Sequence, residues 1–174
     1  MQTSSNKRNN NIRPGSKFLF SHPAHFLSLG FGAGLSPKAP GTMGTLVAVP
    51  IYIVMAQFLD HLTYAIVTLA IVIFGFWICG VTERALGSHD HGSIVWDEIA
   101  GFLVTMYLAP VTWWSVVAGF VLFRAFDIAK PFPISWFDKE LKGGFGTVMD
   151  DIAAGVFAWL CLQGLLFAKA SYFV

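Results

Sequence analysis

Charge is what this chain has least of. Only 12% of its 174 residues are Asp, Glu, Lys or Arg, against roughly a quarter in ordinary globular chains. The net charge is +1, which excludes the strongly basic surface that nucleic-acid binding requires. Cysteine is nearly absent: Cys79 and Cys161 each lie inside an apolar run, with no C-x-x-C spacing. A disulfide framework and a thiolate zinc site are excluded, and both thiols are expected to be buried. Also missing are a G-x-S-x-G elbow, a GxxxxGK[ST] loop, a Cys-x5-Arg phosphatase signature and any repeat of fixed period. These absences remove Ser/His/Asp catalysis, a Walker-type phosphate loop and thiol-phosphatase chemistry.

What remains is apolar. Hydrophobic residues make up 55% of the chain, with seventeen Phe and six Trp, and mean hydropathy is +0.63. That suits a lipid-facing protein with aromatic belts. Apolar stretches at 45–59, 63–79, 99–126 and 151–168 predict an all-α fold. The architecture expected is a small polytopic membrane bundle with about four apolar spans or short helices. The first two stretches are joined by a short turn around Asp60-His61 and should form a hairpin. Residues 1–17 carry Lys7, Arg8, Arg13 and Lys17 and read as a disordered basic tail; 18–174 read as one membrane-embedded domain. His22, Pro23 and His25 interrupt the apolar run that begins at Phe18. Residues 18–31 are therefore expected to be interfacial rather than a cleaved signal.

The third stretch decides the topology. Pro110 disfavours a continuous helix, and Thr112 is suited to cap a new one. A hairpin turning at 110–112 has arms of about 13–15 residues, roughly 20–22 Å, shorter than a hydrocarbon core of about 30 Å. It puts ten of the eleven basic residues on one face and only Lys169 on the other. By the positive-inside rule that face is cytoplasmic. Trp113 and Trp114 then belong to the outer interface, Trp96 and Trp136 to the inner.

The same hairpin delivers Asp97-Glu98, Asp127 and Asp150-Asp151 to one surface. They are five of the ten acidic residues. Either pair alone is explained by helix capping. Together, in a chain this poor in charge, they point to a hard divalent cation such as Mg²⁺. Arg124, Asp127 and Lys130 fall at i, i+3 and i+6, and Pro131 and Pro133 end the helix there. Lys130 is a point charge suited to a phosphate oxygen. Arg124 suits either phosphate or a lipid headgroup. The loop GFGAGLSPKAPGTMGT at 30–45 offers Lys38, Gly41, Thr42, Gly44 and Thr45 to an anion; the bland reading is a tight turn that permits close helix packing. Gly143-Gly144-Phe145-Gly146-Thr147 reads as a loop over Asp150-Asp151, with Thr147 capping the last helix. Asp90 reads as supporting the site's ligands or ordering its loop, His89 and His91 as solvated, and Glu83-Arg84 as a local ion pair or a contact supporting the site.

GFGAGLSPKAPGTMGTL (30–46), DHGSIVWDEIAGF (90–102), FRAFDIAKPFPISWFD (123–138) and GGFGTVMDDIAAG (143–155) occur in this order. In these segments the chain resembles the phosphatidylglycerophosphatase A family over roughly residues 30–165. The resemblance implies a Mg²⁺-dependent lipid phosphatase of the bacterial inner membrane that converts phosphatidylglycerophosphate to phosphatidylglycerol. Its partner is an anionic phospholipid, and its site faces the cytoplasm. On this reading Asp97, Glu98, Asp127, Asp150 and Asp151 hold the metal. Asp97, Glu98, Asp127, Lys130 and Asp151 act in catalysis, and Lys38, Gly41, Thr42, Gly44, Thr45 and Arg124 bind substrate. Attack by water oriented by Asp127 or Asp151 and an aspartyl-phosphate route are both open. The competing readings are a small cation channel or transporter, and a phosphatase for another lipid phosphate.

Overall fold

A computed structural model describes residues 14–89 and 91–172. Most of the expected tail, and Asp90, lie outside the described residues. Every element among them is helical: α1 (Ser16–Leu19), α2 (Pro23–Ser28), a 3-10 segment (Gly30–Leu35), α3 (Pro40–Phe58), α4 (His61–Leu86), α5 (Trp96–Thr105), α6 (Trp113–Ala129), α7 (Ile134–Glu140) and α8 (Gly143–Tyr172). Three of these, α3, α4 and α8, are long and apolar enough to cross a membrane. The predicted hairpin is present as α5 and α6. Its first arm is only about 15 Å long at 1.5 Å per residue, half the depth of the hydrocarbon core.

Local chemistry sets the turns. Thr112 and Ser115 form a reciprocal capping box at the start of α6, as expected of Thr112. Asp60 caps α4 by accepting from the N–H groups of Leu62 at 2.9 Å and Thr63 at 3.0 Å. The Thr63 hydroxyl also donates to it. Those hydrogen bonds, the hydroxyl first, hold the Asp60 carboxyl below its ordinary range. The α3–α4 hairpin therefore has its turn at the expected Asp60-His61.

The short helix α5 sits at the centre, packed on α3, α4, α6 and α8. Lipid provides little hydrophobic force between helices, so close approach of small residues supplies the packing. A Cβ on Gly155 would lie 2.5 Å from the Gly101 carbonyl oxygen, and one on Gly144 would lie 2.3 Å from the Gly80 nitrogen. Three buried ring donors find backbone partners on neighbouring helices and turns, as a membrane interior favours. Tyr52 donates to the Ala109 carbonyl at 2.9 Å, Tyr64 to Leu103 at 2.8 Å and Trp96 Nε1 to Ile71 at 3.1 Å. Phe102 meets Tyr52, Phe120 and Phe123 edge to face, the geometry ring quadrupoles favour.

Several expectations are corrected. The first apolar helix starts at Pro40, not 45, because Ala39 turns the chain with φ 45° and Pro40 takes the first helical turn. Gly41, Thr42 and Gly44 are therefore helical, not loop. The stretch 143–147 is also helix: α8 begins at Gly143, whose φ of +70° makes the bend, so Thr147 lies inside α8 and does not cap it. Ser16 and Lys17 belong to α1 rather than to a tail. Trp96 is buried against α4. Cys79 is buried as expected, but Cys161 is exposed, on the same outer side of α8 as exposed Leu160 and Leu165.

Candidate active site

One end of the bundle gathers the start of α3, the end of α4, the start of α5, the end of α6 and the first turns of α8. Contacts fix this: Gly41 abuts Glu98, Lys130 reaches Asp150, and Thr147 donates to Glu83. All three predicted acidic groups lie at this end, around a cavity of about 370 Å³.

Asp97 and Glu98 stand in the first turn of α5, where the helix dipole favours negative charge. Asp151 enters from α8. Oxygens of these three carboxylates lie within 4.8 Å of one another. Asp97 and Asp151 are buried, and the Glu98 side chain is only 14% exposed. One Asp97 oxygen accepts from the Glu98 N–H at 3.1 Å. Glu98 Oε2 is buried without a hydrogen-bond partner among the described residues. Two like charges 4 Å apart repel by about 4 kcal/mol at an effective dielectric of 20. Three converging carboxylates with an orphaned buried oxygen therefore fit a cation. An all-oxygen donor set selects a hard one.

The other two acids carry basic partners. Arg124 Nη1 donates to Asp127 and lies 3.7 Å from Glu98. Lys130 Nζ reaches Asp138 at 2.5 Å and Asp150 at 2.6 Å. Burial works against the Lys130 ammonium, but the hydrogen bonds it donates to Asp138 and Asp150 outweigh it and hold its pKa above the ordinary lysine range. The five acids expected to share one role thus divide in two. Asp97, Glu98 and Asp151 form the cluster; Asp127 and Asp150 line the same cavity while anchoring Arg124 and Lys130.

Two backbone positions on the cavity wall are unusual. Ala39 has φ 45° and Lys130 φ 40°. Left-handed conformations in residues with a Cβ persist only where their surroundings enforce them, and they gather at functional sites. At Lys130 this turn ends α6 and swings the ammonium toward α8.

The glycine-rich segment contributes less surface than its composition suggested. Gly41 lines the cavity, and a Cβ there would lie 2.1 Å from Glu98 Oε1 and 3.0 Å from Arg124 Nη1. Gly44 and Thr45 are buried in packing: a Cβ on Gly44 would meet Val95 at 2.6 Å, and the Thr45 hydroxyl donates to the Gly41 carbonyl at 3.0 Å. Thr42 and Lys38 stand outside the cavity wall.

One feature was not legible beforehand, and a second, Glu83, was expected only as an ion pair with Arg84 or a contact supporting the site. Asp138 on α7 lies eight residues beyond Lys130, outside the i+3 and i+4 spacings that reveal helix pairs. Glu83 is buried and accepts from the Thr147 hydroxyl, with His89 Nδ1 at 3.1 Å. Its location in an apolar helix was the available signal, since a charge there requires a partner. It ties the end of α4 to the loop before α5 and to α8. His89 is 42% exposed, so it is tethered at one ring nitrogen rather than wholly solvated.

The fold and site define a helical membrane protein that lines one cavity with a cluster of three carboxylates and two anchored basic side chains. A family model described as Phosphatidylglycerophosphatase A matches residues 26–166. Phosphatidylglycerophosphatase A of Escherichia coli K12 is 47% identical over 142 residues, covering 81% of this chain and 82% of its own. That of Haemophilus influenzae Rd is 41% identical over 146 residues, covering 83% and 90%. A Bacteroides thetaiotaomicron protein provisionally named a phosphatidylinositol-3-phosphatase is 36% identical over 143 residues, covering 78% and 89%. No solved structure matches. The chain belongs to the phosphatidylglycerophosphatase A family.

Proposed function

We propose that the protein is a Mg²⁺-dependent phosphatase that hydrolyses phosphatidylglycerophosphate to phosphatidylglycerol and phosphate. The observation that carries this reading is the convergence of three buried carboxylates with Arg124 and Lys130 on one cavity, in a chain of this family. Asp97, Glu98 and Asp151 would hold the metal, which when bound neutralises charge on the phosphoryl oxygens. Arg124 forks toward the phosphate and Lys130 supplies a point charge opposite it. Both are already aimed by Asp127 and Asp150, so little reorganisation accompanies binding. Asp127, fixed by Arg124, orients the attacking water and takes its proton. The lipid's acyl chains remain in the bilayer while the headgroup enters the cavity. The basic residues around this end support a cytoplasmic orientation at the bacterial inner membrane.

Phosphate release from phosphatidylglycerophosphate by the purified protein in detergent tests this. Release should require Mg²⁺, stop with EDTA and fall at least 10³-fold in Asp97→Asn and Asp151→Asn, the scale of losing several kcal/mol of transition-state stabilisation. Full release in EDTA by the folded protein would remove the metal mechanism. Phosphatidylinositol 3-phosphate, assayed beside it, should give the lower kcat/KM; the reverse order would transfer the activity to inositol lipids.

A further inference from the structure

The cavity must admit a lipid headgroup without lifting the acyl chains out of the bilayer, so one side of it must open laterally. Around the central α5, the seam between α6 and α8 is closed by packing that includes Phe126 against Phe157. The seam between α6 and α3 is sparsely packed, and its floor is the Tyr52–Phe102–Phe120 aromatic set. Along α6, Val117, Val121, Arg124 and Ile128 follow 4-3-4 spacing and so share one stripe. Arg124 and Ile128 of that stripe line the catalytic cavity. The apolar members are open to the surroundings: Val117 is 53% exposed, Val121 59% and Ile128 72%. From Ile128 to Val117 is eleven residues, about 16 Å at 1.5 Å per residue, or one leaflet of a core of about 30 Å.

We propose that the α3–α6 seam is the lateral entry for the lipid substrate, with an acyl chain lying along Val117, Val121 and Ile128 while the phosphate meets Arg124. This inference rests on the phospholipid reading above and adds the face by which the lipid is held. The stripe is continuous with the cavity through Arg124 and Ile128, and its length matches the occupant. A second apolar groove of about 350 Å³ lies between α4, α5 and α8, but it shares no lining residue with the catalytic cavity.

The full chain, carrying a benzophenone side chain at one position, is placed in phosphatidylcholine vesicles with a trace of acyl-labelled phosphatidylglycerophosphate and illuminated. Position 121 should capture at least fivefold more label than position 73 on α4, where Ile73 is comparably exposed at 57%. Equal capture at both overturns the proposal, and so does capture concentrated at position 156 in the α4–α8 groove. In a second measurement, Val121→Trp should lower the ratio of kcat/KM for the lipid to that for its water-soluble deacylated headgroup about tenfold. An unchanged ratio overturns the entry path while leaving the phosphatase reading intact. Failure of the unsubstituted protein to hydrolyse either substrate overturns both.

Discussion

Lys130 shows how a single residue here serves packing and chemistry at once. Its ammonium is the counter-charge of Asp150, which is buried. Removing one partner of such a pair leaves an uncompensated charge and costs about 3–5 kcal/mol when burial is complete. The Lys130 side chain is 28% exposed, so Lys130→Met should cost about 3 kcal/mol, the lower end of that range. Adding Asp150→Asn should restore most of the lost stability, because the buried carboxylate is then neutral while Asp138, 33% exposed, keeps solvent, yet phosphate release should stay at least tenfold below that of the unsubstituted protein. Thermal unfolding in detergent, read beside phosphate release, separates the two roles. Recovery of both stability and activity in the double variant would make Lys130 purely structural. At this scale the acids were legible, because a charge at the end of an apolar segment stands out in a sequence with so few. Their division was not. Which carboxylate carries a basic partner is decided by contacts such as Lys130–Asp150, across helices whose register the sequence does not display.

The two acids that anchor the cluster from different helices, Asp97 and Asp151, are set by how closely α5 and α8 approach. That distance depends on backbone contact at Gly101 and Gly155, where the Thr105 hydroxyl donates to the Gly101 carbonyl at 3.0 Å. Gly155→Ala should force the helices apart at a cost of about 1–3 kcal/mol. It should also lower phosphate release at least tenfold, since one end of the cation cluster moves with each helix. Gly164→Ala, farther along α8 with open space around the added Cβ, is the control and should leave both stability and release unchanged. Equal behaviour of the two variants would mean that α5–α8 spacing does not set the site. Element-level structure was readable where a strong local signal existed: Pro110 announced the α5–α6 turn, and Asp60 the α3–α4 turn. The start of α3 and the whole of α7 were obscured by glycine and proline. Ala39 and Gly143 use left-handed turns to begin helices in segments whose composition reads as loop.

For the whole molecule, the distribution of charge and the placement of the site make one statement. Lys17, Lys38, Arg84, Arg124, Lys130 and Lys142 accompany the helix ends around the cavity, while Lys169 lies at the opposite end, 4.0 Å from the Trp114 ring centroid. A basic excess on short connections is retained on the cytoplasmic side, so the cavity should open inward. Single cysteines placed in a background lacking Cys79 and Cys161 test this in intact cells with a membrane-impermeant maleimide. Leu62→Cys, at a position 70% exposed beside the α3–α4 turn, should label directly. Lys38→Cys, on the exposed segment before α3, should label only after the membrane is opened. The opposite pattern would turn the cavity outward, and a phosphatase so placed would need its substrate delivered to the outer leaflet before it acted. The expected pattern instead gives the α3–α6 seam direct access to lipid in the cytoplasmic leaflet, where its 16 Å apolar stripe spans about one leaflet from the cavity to the bilayer midplane.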